Sequence, residues 1–268
     1  MNRLDRIFGG RRKRLVTYLC VGDPSVDETV DLARACIAAG ADVLELGVPF
    51  SDPTADGPAI ARASQRAIAA GGGLAAALRV ARAVREGDAG VGIVLFGYYN
   101  PIFILGEARA AQEASDAGVD ALLVVDLPVE ESGALRQAAA SHGMGVVPLL
   151  APTSRPERVA AAAEAARRSP VPFVYYVSVT GVTGSGAVDA AVAGARAAAL
   201  REQTGRPVVV GFGIDSGEKA RAAAEHADGV VVGTALVRRI EEGRSPAERR
   251  AAVAALVREL RAGISALG

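Results

Sequence analysis

The sequence predicts an α/β fold, a (β/α)8 barrel of parallel strands covered by helices, that forms a single domain over residues 1–268. Short apolar runs alternate with Ala-rich amphipathic stretches along the whole chain, which is the pattern of repeated strand and helix units. The apolar runs are nearly continuous, as expected for parallel strands that are buried on both faces. The length of 268 residues is also ordinary for a barrel that folds as one domain.

Eight runs qualify as strands, and eight strand and helix units close most simply into a TIM barrel. The predicted strands are 15–19, 43–46, 91–95, 121–125, 145–149, 173–177, 208–210 and 229–232. The predicted helices include 26–39, 106–117, 130–142, 155–168, 187–203, 218–225, 235–241 and 246–262. An open doubly wound sheet is the alternative, but the turn after the first strand, CVGDP, has a single glycine and lacks the Gly-x-Gly-x-x-Gly of that fold.

Several of these strands are preceded by similar residues. The segments AGAD at 39–42, AGVD at 117–120 and ADG at 227–229 each lead into a strand. Glycine is suited to end a helix, and a polar residue then introduces the strand. We interpret these segments as a weak internal repeat of the strand and helix unit.

The composition excludes several classes of partner. Lys and Arg total 30 and so do Asp and Glu, so no net field attracts nucleic acid or an anionic membrane. The basic run RRKR at 11–14 is interpreted as solvated surface. With only Cys20 and Cys36, and neither a leader nor a long apolar run, the sequence favours neither secretion nor membrane spanning. We therefore expect a cytoplasmic protein that binds small molecules or protein.

The most informative segment is ELGVPFSDPTADGP at 45–58. Glu45 lies near the end of the second predicted strand, and Asp56 lies in the Pro/Gly-rich loop that follows. Barrel enzymes carry their active sites at the carboxyl ends of the strands, and an acid on a rigid strand beside an acid on a mobile loop suits proton transfer to a covered substrate. Other polar or aromatic residues near predicted strand ends are Tyr98, Asn100, Asp126 and Tyr175.

Glycine-rich segments follow the last three predicted strands. They are VTGVTGSG at 179–186, GFG at 211–213, and Gly233-Thr234, which opens a short helical segment. Glycine allows backbone N–H groups to approach an anion closely, and a helix N-terminus adds a positive dipole. Together the three segments predict a phosphate site.

Other kinds of chemistry have little support in the sequence. No His, Cys and Asp spacing resembles a metal site, and His142 and His226 are interpreted as surface residues. No lysine follows a strand end, so an imine mechanism is disfavoured. The residues alone thus predict a phosphate-bearing substrate handled by two carboxylates. Such a site suits making or breaking a C–C bond, or isomerising a sugar phosphate.

Several motifs resemble the alpha subunit family of tryptophan synthase over nearly the whole chain. They are GDP at 22–24, LELGVPFSDP at 44–53 with ADGP at 55–58, YYNP at 98–101, DLP at 126–128, SVTGVTG at 178–184, GFGI at 211–214 and VGTA at 232–235. The resemblance implies a lyase that cleaves indole-3-glycerol phosphate to indole and glyceraldehyde 3-phosphate by a retro-aldol reaction in tryptophan biosynthesis. It also implies that this chain uses no cofactor of its own.

The resemblance further implies roles for particular residues. Glu45 would be the general acid and base, Asp56 would bind the indole N–H, and Tyr175 would position the substrate. Tyr18, Tyr98 and Leu127 would surround the indole, and Thr183 would contact the Asp56 loop. Phosphate would be held by Gly184, Gly213, Gly233 and Thr234, the last in place of the more usual serine. Thr17 and Cys20 also depart from the common pattern and affect the shape of the indole pocket.

A partner is implied as well. The resemblance predicts a beta subunit that carries pyridoxal phosphate and takes up indole within an α2β2 heterotetramer, with Asp52, Pro53 and 99–103 near the interface. Alternatives are a stand-alone lyase that releases indole, or a catalytically weak subunit that activates a partner. Phosphate-binding barrel isomerases are a further alternative, but they lack the acid pair of the 45–58 segment.

Overall fold

The computed structural model describes residues 2–177, 190–211 and 213–267. Its strands are β1 Arg14–Cys20, β2 Val43–Gly47, β3 Gly92–Gly97, β4 Ala121–Val124, β5 Gly145–Val146, β6 Leu149–Leu150, β7 Val174–Val177, β8 Val208–Gly211 and β9 Gly229–Val232. Its helices are α1 Arg3–Phe8, α2 Val26–Ala38, α3 Pro58–Ala69, α4 Leu74–Gly87, α5 Tyr99–Leu105, α6 Glu107–Asp116, α7 Gly133–Ser141, α8 Pro156–Arg168, α9 Ala190–Thr204, α10 Gly217–Ala224, α11 Thr234–Glu242 and α12 Pro246–Ser265. No predicted helix corresponds to α1, α3, α4 or α5.

The strands form one parallel sheet in the order β5-β4-β3-β2-β1-β9-β8-β7-β6. Only two residues separate β5, which pairs with β4, from β6, which pairs with β7. The N–H of Val147 still donates to Leu122 at 2.9 Å, and the carbonyl of Pro148 accepts from Tyr175 at 3.0 Å. The sheet therefore closes around residues 145–150, and the prediction of a (β/α)8 barrel is confirmed.

One predicted strand differs from the structure. The run 145–149 was expected as a single strand, but it forms β5 and β6 with a break at Val147 and Pro148. Proline has no N–H to donate to a strand ladder, so the ladder is interrupted where the chain changes partners from β4 to β7. The other seven predicted strands agree with the structure within two residues.

The short helix α1 closes the amino-terminal end of the barrel. Leu4 and Phe8 belong to the same buried cluster as inward-facing strand residues, and the Phe8 and Phe173 rings lie 5.0 Å apart. Gly92 leaves room for this helix, because a Cβ there would lie 3.1 Å from Ile7. Residues of α1 thus close the amino-terminal end of the barrel, and the barrel opens at the carboxyl ends of its strands.

The helices on the outer face of the sheet carry many small side chains. Ala33, Ala77, Ala81 and Ala111 are fully buried in the largest apolar cluster, so these helices approach the strands closely.

Within the described ranges, no single helix has the length and apolar character to cross a membrane. The pair α3 and α4, bent by 92° where the two helices join, passes that test of length and composition together.

The weak repeat in the sequence has a physical basis at the amino ends of the strands. Asp42, Asp120 and Asp228 each stand directly before a strand, and each carboxylate accepts an N–H from the neighbouring strand. The donors are Leu15 at 2.8 Å, Ile93 at 2.9 Å and Val208 at 2.8 Å. Each carboxylate also pairs with an arginine, which is Arg261, Arg85 or Arg201 respectively. The repeated aspartate therefore ties adjacent strands together.

The interpretation of the basic run 11–14 as solvated surface is wrong for two of its residues. The side chain of Arg14 is nearly buried at the start of β1 and faces Asp42. The Lys13 ammonium donates to the carbonyl of Ala227 at 2.7 Å. Arg11 is exposed, as expected.

Candidate active site

Three polar side chains point into the barrel from its strands. Glu45 on β2 is the register partner of Tyr18 on β1, so the two side chains are neighbours on the inner wall. Tyr175 lies on β7, across the barrel from β2 in the strand order. Burial and then the negative charge of Glu45 raise the pKa of Tyr175 well above its ordinary value. Glu45 and Tyr175 therefore interact through the interior of the barrel.

Glu45 is buried beneath an aromatic pair. Gly47, two residues further along β2, has no side chain, and a Cβ there would lie 2.5 Å from the Tyr18 ring. This gap lets Tyr18 meet Phe96 of β3 edge to face, with ring centroids 5.3 Å apart. Glu45 is consequently only 1% exposed, and its Oε1 has no hydrogen-bond partner among the described residues.

The environment of Glu45 favours its neutral form. Burial penalises the carboxylate and raises the pKa of Glu45 to about 8. Such a group is protonated at neutral pH, yet it can lose its proton to a nearby base. This is the property required of a residue that both donates and accepts a proton.

Asp56 is held over the barrel mouth by Tyr98. The Tyr98 hydroxyl accepts the N–H of Ala55 at 3.0 Å, and its ring stacks on Phe50 of the same loop at 5.0 Å. Burial raises the pKa of Asp56 to about 6, while the hydrogen bond from Tyr98 opposes that rise. Asp56 thus stays ionised at pH 7, unlike Glu45.

A cleft of about 510 Å3 opens at the mouth, beside the loop that carries Asp56. Asp56, Leu127 and Tyr175 are among its lining residues, so the structure brings these three predicted site residues together. Four polar residues on the side of β4 and β6 also line it, and they are Asp126, Thr153, Ser154 and Arg158. Glu45, Tyr18 and Tyr98 lie among the buried residues instead.

The predicted phosphate residues are described in part. Gly213 is exposed just after β8 with a positive φ of 36°, which favours glycine. Gly233 follows β9, the neighbour of β8 in the sheet, and Thr234 begins α11. Backbone N–H groups at the start of a helix have no partner within the helix and favour an anion. Gly184 and Thr183 lie outside the described residues.

Two residues flagged in the sequence have tasks that the sequence did not reveal. Tyr98 was expected beside the indole, but its hydroxyl is engaged with the Asp56 loop. Asp126, which follows a strand, accepts the N–H of Tyr99 at 2.7 Å and caps α5. Phe96 was missed altogether, although its place at the end of a predicted strand was a usable signal.

Two carboxyl groups with raised pKa values at the mouth of a (β/α)8 barrel are the arrangement expected of an enzyme that works by proton transfer. In the described part of the chain, no three His, Cys, Asp or Glu residues are grouped so as to hold a metal ion.

Comparison with known proteins identifies the family. The sequence profile of the tryptophan synthase alpha chain matches residues 6–265. The chain is 46% identical over 254 residues to the tryptophan synthase alpha chain of Laribacter hongkongensis, covering 93% of this chain and 95% of that protein. It is 45% identical over 260 residues to that of Thioalkalivibrio sulfidiphilus, covering 97% and 96%.

Solved structures agree with the sequence comparison. The alpha subunit from Legionella pneumophila superimposes with a TM-score of 0.89 at 36% identity, covering 98% of each chain. A chain of Mycobacterium tuberculosis tryptophan synthase gives a TM-score of 0.86 at 35% identity, again with 98% of each covered. The protein belongs to the tryptophan synthase alpha chain family. It is a carbon–carbon lyase of tryptophan biosynthesis that cleaves indole-3-glycerol phosphate.

Proposed function

We propose that Glu45 carries the proton in this cleavage. The observation that carries the proposal is a carboxyl that is 1% exposed, lacks a described partner for Oε1 and has a pKa raised to about 8 by burial. A purely structural buried acid would be paired or fully hydrogen-bonded. Glu45 is instead free to act on a substrate.

The reaction balances around this one carboxyl group. Protonated Glu45 delivers its proton to C3 of the indole ring, which leaves a positive charge shared with the ring nitrogen. The resulting carboxylate then takes the proton from the glycerol hydroxyl next to the ring. As that oxygen forms the aldehyde, the bond to C3 breaks and its electron pair returns to the ring. Indole and glyceraldehyde 3-phosphate leave, and Glu45 is protonated again.

Asp56 is proposed to bind the indole N–H. Its pKa of about 6 keeps it ionised at pH 7, so it can stabilise the positive charge that develops when C3 is protonated. Two acids whose environments separate their pKa values can take opposite roles in one reaction. Thr183, outside the described residues, is proposed to contact the Asp56 loop.

The remaining predicted site residues are proposed to hold the substrate. Tyr175 would contact the reacting carbon chain, because it interacts with Glu45 across the barrel. Leu127, Tyr18 and Tyr98 would form the walls around the indole. The phosphate would lie against Gly213, Gly233 and Thr234 at the start of α11, together with Gly184. The chain is proposed to act as one domain, since its described strands join a single sheet.

We also propose that the chain works with a beta subunit in an α2β2 heterotetramer, in the cytoplasm. Phe103 and Ile104 on α5 are 66% and 76% exposed, and large exposed apolar side chains side by side favour a protein contact. Asp52 and Pro53 lie on the neighbouring loop. The pyridoxal phosphate would belong to the partner, and this chain would use no cofactor. A stand-alone indole lyase is the second candidate, because it would use the same acid pair, whereas that pair argues against a catalytically weak subunit.

One assay tests the proposal and separates the candidates. Purified chain is incubated with indole-3-glycerol phosphate, and indole release is followed with and without a tryptophan synthase beta subunit. We expect slow release that the partner stimulates at least tenfold. Equal release with and without partner would favour the stand-alone lyase, and no release under either condition would contradict the assignment.

A further inference from the structure

Arg66 joins α3 to two other elements of the barrel mouth. Its Nε and Nη2 donate to the two carboxylate oxygens of Asp23, each at 2.8 Å. Its Nη1 donates to Oε1 of Glu241 at 2.8 Å. One turn earlier on α3, Arg62 holds both oxygens of Glu241 at 2.9 and 2.8 Å. Two arginines and two carboxylates therefore form one network with balanced charge.

The members of this network come from elements that carry the proposed site. Asp23, in the turn after β1, is 2% exposed, and both of its carboxylate oxygens accept hydrogen bonds from Arg66. Helix α3 begins at Pro58, two residues after Asp56. Glu241 lies in the last turn of α11, whose first residue is Thr234. The network thus spans from the Asp56 loop to the helix that starts at the phosphate site.

An apolar contact lies beneath the network. Ile60, Ala63 and Ala67 form one face of α3, and they belong to a buried cluster with Val237 of α11 and with Cys20. Val237 is one helical turn before Glu241, so the apolar and the charged contacts run along the same pair of helices. A shift of α11 would therefore be transmitted to α3.

We propose that Arg66 is a positioning residue that couples the phosphate site at the start of α11 to the placement of Asp56. The inference rests on the proposed roles of Asp56 and the phosphate residues. A bidentate guanidinium–carboxylate pair fixes orientation as well as distance, and a third bond to Glu241 fixes α3 against α11. Catalytic groups displaced by about 1 Å lose up to 100-fold in rate, so such coupling has a direct effect on turnover.

Hydrogen exchange tests the coupling without relying on turnover. The N–H of Ala55 is bonded to Tyr98 and reports on the Asp56 loop. In the unaltered chain, saturating inorganic phosphate is expected to slow exchange in residues 50–57 at least threefold. Arg66→Met and Glu241→Gln are expected to lose this slowing of exchange. Arg66→Lys is expected to keep part of it, because lysine retains the positive charge but cannot form the bidentate pair with Asp23. Arg201→Met, which breaks an exposed pair at the other end of the barrel, is the control and should keep all of it.

Kinetics give the second readout. For Arg66→Met we expect a loss of at least tenfold in kcat for indole-3-glycerol phosphate, with the Kd for inorganic phosphate changed less than twofold. Glu241→Gln leaves buried Asp23 paired, so it decides the question if Arg66→Met fails to fold. The inference would be overturned if phosphate slowed hydrogen exchange in residues 50–57 as much in Glu241→Gln as in Arg201→Met. It would also be overturned if phosphate did not slow this exchange in the unaltered chain. Normal coupling without indole release would contradict only the proposed function.

Discussion

The hydroxyl of Tyr98 accepts the N–H of Ala55 at 3.0 Å, and its hydrogen bonding to the next residue, Asp56, lowers the pKa of that carboxyl. A single phenol on the segment after β3 thereby holds both the position and the charge of an acid on the loop after β2. Because the bond favours the ionised form, it works against the rise in pKa that burial imposes on Asp56. Tyr98 is thus a support of the acid pair.

Tyr98→Phe is expected to reduce kcat/KM about 10- to 100-fold at pH 7, since hydrogen bonds to charged groups contribute about 1.5–3 kcal/mol. The pKa of Asp56 should rise when the bond is lost, which moves the acidic limb of the pH profile upward. Tyr99→Phe is the matched control, because that hydroxyl bonds Glu107 on the surface at 2.8 Å. Equal rates in the two variants would show that Tyr98 does not support Asp56.

The pH dependence of kcat/KM should be bell-shaped, with limbs near 6 and 8. Asp56 acts as a carboxylate, so activity is lost as the pH falls through its pKa of about 6. Glu45 must be protonated to begin the reaction, so activity is lost as the pH rises through its pKa of about 8. Rates from pH 5 to 10 with the partner-free chain measure both limbs. A rate that keeps rising above pH 9 would exclude protonated Glu45 as the starting acid.

Gly47→Ala is expected to displace the Tyr18 ring, because the new Cβ would lie 2.5 Å from it. The cost of overpacking is about 1–3 kcal/mol, and Glu45 would gain solvent, which lowers its pKa and moves the alkaline limb downward. Gly133→Ala is the control, since a Cβ there meets nothing within 4 Å. Thermal unfolding and pH profiles measure both effects. An unchanged alkaline limb in Gly47→Ala would contradict the role given to the aromatic pair.

Asp120→Ala should destabilise the fold by about 3–5 kcal/mol, the usual cost of breaking a buried ion pair. Asp120 is 3% exposed, pairs with Arg3 and Arg85 at 2.9 and 2.8 Å, and accepts the N–H of Ile93. Asp215→Ala removes an exposed pair with Lys219 and should cost under about 1 kcal/mol. Urea unfolding measures both. Similar midpoints would show that the repeated aspartates do not tie the strands together.

Much of the fold could be predicted because it depends on local patterns. Continuous apolar runs predict parallel strands, and Ala-rich amphipathic stretches predict the helices that cover them. Glu45 and Asp56 could be selected as site candidates because one acid lies at a strand end and the other lies in the adjoining loop. The break at Pro148 was not predicted, because the change of pairing partner is a property of the closed sheet.

Contacts between distant segments could not be read from the sequence. Nothing near Tyr98 indicates that its hydroxyl reaches a loop some forty residues earlier, and nothing near Arg66 indicates that it meets Asp23 and Glu241. Likewise, the raised pKa of Glu45 depends on Tyr18 and Phe96 meeting over Gly47, which requires three adjacent strands in register.

The central claim is that Glu45 carries the proton, and Glu45→Gln tests it most directly. Glutamine has nearly the same shape but cannot donate and accept the proton, so the variant should fold and bind inorganic phosphate with unchanged affinity. It should release indole from indole-3-glycerol phosphate at least 1,000-fold more slowly. This loss lies in the upper part of the range for general acid–base catalysis, which is about 100- to 10,000-fold. Indole release within tenfold of the unaltered chain, in a folded variant that binds phosphate, would contradict the account.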